Sequence, residues 1–181
     1  DNAAKAVAAF ERTLITPNSP YDRYVKGDKG AMSGQQVRGM NAFAEAGCMA
    51  CHAGPAFNGP AQEPGTGFYM KFPTLSDNDY TRDYIFADDG GRFEVTGKET
   101  DKALWKVPTL RNIEVTAPYF HNGSVKTLPE AVKVMAKTQL NMELAEQQTA
   151  DITAFLSALT GEFPEQPMPR LPITPGRTIV E

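Results

Sequence analysis

Gly47-Cys48-Met49-Ala50-Cys51-His52-Ala53-Gly54-Pro55, "GCMACHAGP", holds both cysteines of the chain and one of its two histidines. A Cys-x-x-Cys pair has four common uses. A thioredoxin-like site follows a strand and opens a helix, whereas this pair follows an amphipathic helical pattern and runs into a Gly-Pro loop. A zinc site needs two more ligands, and only His121 remains of the usual soft set. A Cys48–Cys51 disulfide closes a tiny loop and leaves His52 unexplained. The fourth use is the Cys-x-x-Cys-His attachment of c-type haem. There the two thiols add to the porphyrin vinyl groups, and the adjacent histidine is placed under the iron. The segment therefore predicts one covalent haem c on Cys48 and Cys51, with His52 as proximal ligand.

The second axial position decides the chemistry. A thioether there stabilises Fe(II), raises the potential and closes the iron, whereas an open site admits peroxide. The candidates are His121 and methionines 32, 40, 49, 70, 135, 142 and 168. Met49 lies between the cysteines and cannot reach over the ring, and Met40 sits on an apolar helical face. Met70 follows a loop. Met135 falls on a capped helix far enough along the chain to be folded over the haem. An apolar helical face equally suits a methionine that only fills space, and imidazole is the other common ligand. Spacing alone leaves Met135 and His121 both open.

Around this motif the pattern is helical. Residues 3–14 favour a helix with Val7, Phe10 and Leu14 on one face. Ser33-Gly34-Gln35-Gln36 has the form of a capping box, opening a helix that carries Val37, Met40 and Phe43 and ends at Gly47. Residues 52–108 show no persistent periodicity and are expected as loops, a span long enough to carry function. Thr127-Leu128-Pro129-Glu130 suggests a second capping box, and a last helix spans about 143–160 with Ile152, Phe155, Leu156 and Leu159 buried. Residues 164–181 hold five prolines and read as an extended arm. The fold class expected is all-α with long irregular loops.

At 181 residues the chain is long enough to bury a core without disulfides. A net charge of −4 with no Lys/Arg run gives no support to nucleic-acid binding. No apolar stretch approaches the ~18 residues of a membrane span. "DNAAKAVAAF" lacks the features of a secretory leader, so residue 1 is expected to be a processed or truncated end.

The flanking residues point to a family. "AFERTLITPNSPYDRY", "GMNAFAEAGCMACHAGP", "VPTLRN", "TAPYFHNGS" and "ITAFLSALTG" together resemble the C-terminal half of bacterial di-haem cytochrome c peroxidases, across nearly all of residues 4–163. The resemblance implies a cytochrome c-like domain over 1–163, with the arm at 164–181 beyond it. It implies a periplasmic enzyme that reduces hydrogen peroxide to water with electrons from a small c-type cytochrome or a cupredoxin. In that family one haem is peroxidatic and the C-terminal one is the high-potential electron entry. Cys48, Cys51 and His52 then match the attachment residues and proximal ligand of the entry haem, and Met135 its distal ligand. The resemblance also implies calcium between the domains, bound by the backbone carbonyls of Thr116 and Pro118 and by an asparagine of the other domain. With one CxxCH present, this chain alone is expected to transfer electrons, the N-terminal peroxidatic domain being its partner. A homodimer is compatible with the family.

Smaller features carry simpler expectations. Lys106 and Arg111 suit haem propionates or solvent equally well. Trp105 is expected as packing near the porphyrin, His121 as a satisfied structural histidine or as a partner of a propionate or a carbonyl, and Asp88-Asp89-Gly90-Gly91 as a turn. Two other functions compete. A free-standing mono-haem carrier has no need of the long loops or the proline tail. A relative that oxidatively modifies proteins would place a tyrosine where Met135 stands.

Overall fold

A computed structural model of the chain describes residues 2–63 and 66–166. It divides into two compact units, Pro17–Glu162 and a smaller one made of Asp1–Thr16 and Phe163–Glu181. In the smaller unit helix α1 (Asn2–Glu11) forms as its alanine-rich sequence favours. Val7, Phe10 and Leu14, placed by periodicity on one face, are exposed. Of the arm expected at 164–181, residues 164–166 have no regular structure, and 167–181 lie outside the described residues.

The larger unit is mostly helical: α2 (Pro20–Val25), α3 (Gly34–Glu45), the short α4 (Asp79–Asp83) and α5 (Phe93–Thr96), α6 (Leu128–Leu140) and α7 (Glu146–Ser157). The capping box of α3 is formed. Ser33 N–H donates to Gln36 Oε1 at 2.8 Å, and Gln36 N–H to Ser33 Oγ at 3.2 Å. A second box opens α2, where Ser19 and Asp22 cap each other ahead of Pro20. The one expected at Thr127 is absent: the Thr127 side chain makes no capping bond. Glu130, its proposed partner, instead accepts a hydrogen bond from the Tyr84 hydroxyl. α3 stops near the expected glycine, since Gly47 takes a left-handed φ of 85° just past the last turn.

The core is built where α3 crosses α7. A Cβ on Gly39 would lie 1.8 Å from the carbonyl oxygen of Asp151, so only glycine permits this approach. Phe43 of α3 and Phe155 of α7 pack at 5.4 Å between ring centroids, joined by Tyr21 and Phe57. Ile152, Phe155, Leu156 and Leu159 are buried as their spacing predicts. Arg38 closes the crossing at its rim with a salt bridge to Asp151.

The all-α expectation needs one correction. β1 (Tyr69–Lys71) and β2 (Leu104–Lys106) form an antiparallel ladder, with Tyr69 opposite Lys106, Met70 opposite Trp105 and Lys71 opposite Leu104. Bonds from Phe72 N–H to the Ala103 carbonyl and from Val107 N–H to the Phe68 carbonyl extend it. Three-residue strands are too short to show alternation, and no tight turn links them to signal a hairpin. The ladder walls a cavity whose other sides come from α6 and the segment after α3.

Candidate haem-binding site

The cavity has a volume of about 610 Å³. A void of that size amid close-packed side chains marks a place for a ligand, since protein interiors otherwise leave few gaps larger than water. Phe43, Gly47, Cys48, Cys51 and His52 line it from the α3 side. Leu128, Ala131, Val132, Met135, Ala136 and Gln139 line it from α6, following the three- and four-residue spacing of one helical face. Met70, Phe72 and Trp105 come from the strands and the residue after β1, and Phe120 and His121 from the following loop.

The attachment segment is organised locally. Left-handed Gly47 turns the chain out of α3, and Cys48–Ala50 form a single 3-10 turn. His52 N–H bonds the Cys48 carbonyl at 2.9 Å. Both cysteines are free thiols. Burial pushes the Cys48 thiol up to about 11 and raises that of Cys51 as well. Burial favours the neutral imidazole and lowers His52, against the opposing effect of its hydrogen bond to the Phe57 carbonyl. His52 Nδ1 lies 3.0 Å from the Phe57 carbonyl oxygen. That bond fixes the tautomer and leaves the Nε2 lone pair free, an arrangement suited to a metal-bound histidine.

The loop carrying Phe57 is held by Thr109 and Arg111. Thr109 Oγ1 donates to the Ala56 carbonyl at 2.6 Å, and Arg111 Nε to the Pro55 carbonyl at 2.9 Å. Arg111 further pairs with Asp22 at 2.8 Å and donates to Ser19 Oγ at 3.0 Å. Its guanidinium also faces the rings of Tyr21 and Phe57. Arg111, which suited haem propionates or solvent equally well in the sequence, is committed instead to α2 and to the loop after Cys51. "VPTLRN" is a clamp, and no local spacing could reveal partners more than fifty residues away. Lys106 lines the cavity and keeps that candidacy.

Among the methionine candidates, Met70 and Met135 line the cavity. Met32 is buried in the core, Met40 packs against it, and Met49 is exposed. Met168 lies outside the described residues. Thr116 and Pro118 border the same cavity. His121 lines it too, with its ring stacked on Trp105 at 4.1 Å and 18°. His121 is not the satisfied histidine expected, because its buried Nε2 has no partner among the described residues. Gly91, from the run read as a bare turn, packs so closely that a Cβ there would come within 2.9 Å of the Trp105 ring.

The family model described as di-haem cytochrome c peroxidase matches residues 1–30. The chain is 41% identical over 172 residues to cytochrome c551 peroxidase of Nitrosomonas europaea, covering 95% of this chain and 48% of that protein. It is 40% identical over 178 residues to cytochrome c551 peroxidase of Pseudomonas aeruginosa, covering 98% and 49%. The chain belongs to the di-haem cytochrome c peroxidase family. It spans about half the length of these curated relatives. A crystal structure of a MauG-like protein associated with microbial copper homeostasis is similar at a TM-score of 0.62 and 27% identity, over 80% of this chain and 52% of that one.

Family membership implies haem c, and the residues fit it. Two free thiols spaced for the vinyl groups, a neutral oriented imidazole and a thioether meet in one apolar cavity. The only four buried side-chain polar atoms without partners among the described residues include two on cavity-lining residues, Trp105 Nε1 and His121 Nε2. No helix among the described residues is long and apolar enough to cross a membrane.

Proposed function

We propose that this chain is the electron-entry haem domain of a periplasmic di-haem cytochrome c peroxidase. It takes electrons from a small c-type cytochrome or cupredoxin and passes them to a peroxidatic haem in a partner domain, where hydrogen peroxide is reduced to water. The observation that carries this reading is the convergence of Cys48, Cys51 and His52 with Met135 of α6 on one apolar cavity. A haem held there supplies one-electron storage at its iron.

The chain's own residues set the terms of that storage. Cys48 and Cys51 tether the porphyrin, and His52 is aimed by the Phe57 carbonyl. The Met135 thioether favours the ferrous state and closes the iron to peroxide. The rigid seat of Met135, on a thirteen-residue helix packed against α7, makes it a better-held ligand than Met70 on a three-residue strand. A calcium ion shared with the partner domain fits Thr116 and Pro118. Neither carbonyl accepts a hydrogen bond among the described residues, and such oxygens suit a hard cation.

With haem attached, the chain alone should accept electrons from a ferrous small cytochrome in a rapid-mixing experiment and react only slowly with hydrogen peroxide. The two-haem protein that contains it should turn peroxide over. Fast peroxide turnover by the isolated domain would overturn the assignment. For calcium, removal and re-addition in the two-haem protein should change haem spectra or activity, and no change in either would remove Thr116 and Pro118 from the site.

A further inference from the structure

We infer that Tyr84 and Glu130 form a redox-active pair that supplies one electron to the haem cavity, by way of Phe86, when the external electron donor runs short. The inference rests on the haem and peroxidase reading above and gives that cavity an internal reductant.

Reducing one hydrogen peroxide to water consumes two electrons and two protons. Where the small redox partner does not deliver them, an oxidising equivalent is left on the protein. Among aromatic side chains, phenol and indole give up an electron most readily. A phenol does so only if its proton leaves with the electron, so a base must already hold the hydroxyl. A cation beside the ring opposes the loss, and an anion favours it.

These conditions sort the six tyrosines of the chain. Lys29 lies over the Tyr24 ring at 4.3 Å, Arg92 over Tyr69 at 4.4 Å and Arg111 over Tyr21 at 5.4 Å. Tyr119 borders the cavity, but its hydroxyl donates to the Ile113 carbonyl, which cannot take up a proton. Trp105 lines the cavity too, and its buried indole N–H has no acceptor among the described residues. Tyr84 meets both conditions: its hydroxyl donates to the Glu130 carboxylate, and Asp83 adds negative charge nearby.

A chain of rings joins Tyr84 to the cavity. Its centroid lies 5.7 Å from that of Phe86, which is fully buried. Phe86 in turn lies 4.9 Å from Phe120 and 5.1 Å from Phe72, both on the cavity wall. On its other side Tyr84 stacks against Tyr80 at 6.2 Å and 17°. In the step, the Tyr84 O–H bond breaks and the proton passes to Glu130. The electron crosses Phe86 and reduces, by one electron, the oxidant that peroxide has left at the cavity. A neutral phenoxyl radical and a protonated Glu130 result. One electron from a later donor, with the proton returned by Glu130, restores both groups.

The test uses the haem-loaded two-haem protein containing this chain, pre-reduced, freed of excess reductant and mixed with excess hydrogen peroxide. Samples frozen over the first seconds are read by electron paramagnetic resonance. A tyrosyl signal should form, form more slowly in deuterium oxide, and disappear when a reduced small cytochrome is added. Tyr84→Phe, which keeps the ring, should abolish it. Glu130→Gln should remove most of it, since the amide accepts the hydrogen bond but not the proton. A signal of parental size in Tyr84→Phe places the radical elsewhere and overturns the inference. So does a signal untouched by Glu130→Gln, or no tyrosyl signal in a parent whose haem spectra respond to peroxide. Haem spectra that do not respond to peroxide at all overturn the peroxidase reading and this inference together, so the two failures are told apart.

Discussion

His52 Nδ1 sits 3.0 Å from the carbonyl oxygen of Phe57, a residue with a left-handed φ of 53° and a side chain only 2% exposed. One residue thereby orients the His52 imidazole with its backbone and fills the α3–α7 core with its ring. Phe57→Ala should cost about 3–5 kcal/mol in denaturant unfolding, from lost burial and the cavity left behind. Because the carbonyl is released with the ring, the haem spectrum should broaden or shift as well. A stability loss with an unaltered spectrum would separate the two roles.

Replacing Met135 tests the sixth ligand. Met135→Ala should abolish the far-red charge-transfer band and open the iron to cyanide, while Met135→His should abolish the band and lower the potential. Survival of the band in Met135→Ala transfers the role to Met70, the other methionine on the cavity wall.

At the α3–α7 crossing, Gly39→Ala should destabilise the protein by at least about 1–3 kcal/mol, because its Cβ meets the Asp151 backbone and not a side chain that can swing away. Thermal melting of the haem-loaded protein measures it. A variant melting with the parent would mean that the helices separate freely.

The clamp has a pH signature. Burial works to raise the Asp22 carboxyl, but bonds from Arg111 and Ser19 outweigh it and hold it below the ordinary range. A depressed carboxyl contributes stability above its unfolded value of about 3.9, and that contribution is lost as pH falls through the folded value. Asp22→Asn should therefore be less stable than the parent at neutral pH, and the gap should narrow below about pH 4. Arg111→Lys should not restore the clamp, since a point charge cannot serve Pro55, Ser19 and Asp22 at once. Urea unfolding at a series of pH values checks both.

Tyr84 offers a local probe of α6. Its hydrogen bond to Glu130, with smaller contributions from burial and nearby carboxylates, pushes the phenol up to about 12. Glu130→Gln should bring it back toward about 10. Ultraviolet titration against Tyr84→Phe isolates this phenol, and an unmoved transition would break the link between α4 and α6.

The haem reading of Cys48, Cys51 and His52 is a local one, since CxxCH needs only its own spacing, and the fold adds that the three residues line one cavity. The α3 cap and the buried stripe of α7 were legible for the same reason, since helices repeat at short range. What escaped depends on contacts distant in sequence. Glu130 left its cap because Tyr84 reached it across 46 residues. Ser19 and Asp22 cap α2, a helix for which no periodic pattern was read. Arg111 suited a propionate or solvent equally well until the fold placed Asp22, Ser19 and Pro55 around it. The β-ladder escaped because its two strands are brought together by the folded chain and not by a turn.

That ladder also fixes where the chain is free to change length. Pairing of Met70 with Trp105 pins both ends of the intervening segment, which is tied down again at Phe86 and Gly91. The turn at Gly97 has open space around it, and nearby Val95 is 89% exposed. Once ends are pinned, doubling the loop between them costs only about 0.6 kcal/mol. Insertions at Gly97 should therefore grow outward as a surface appendage without reaching the cavity. Lineages can vary the protein's outline at this point while the residues that line the cavity stay in register.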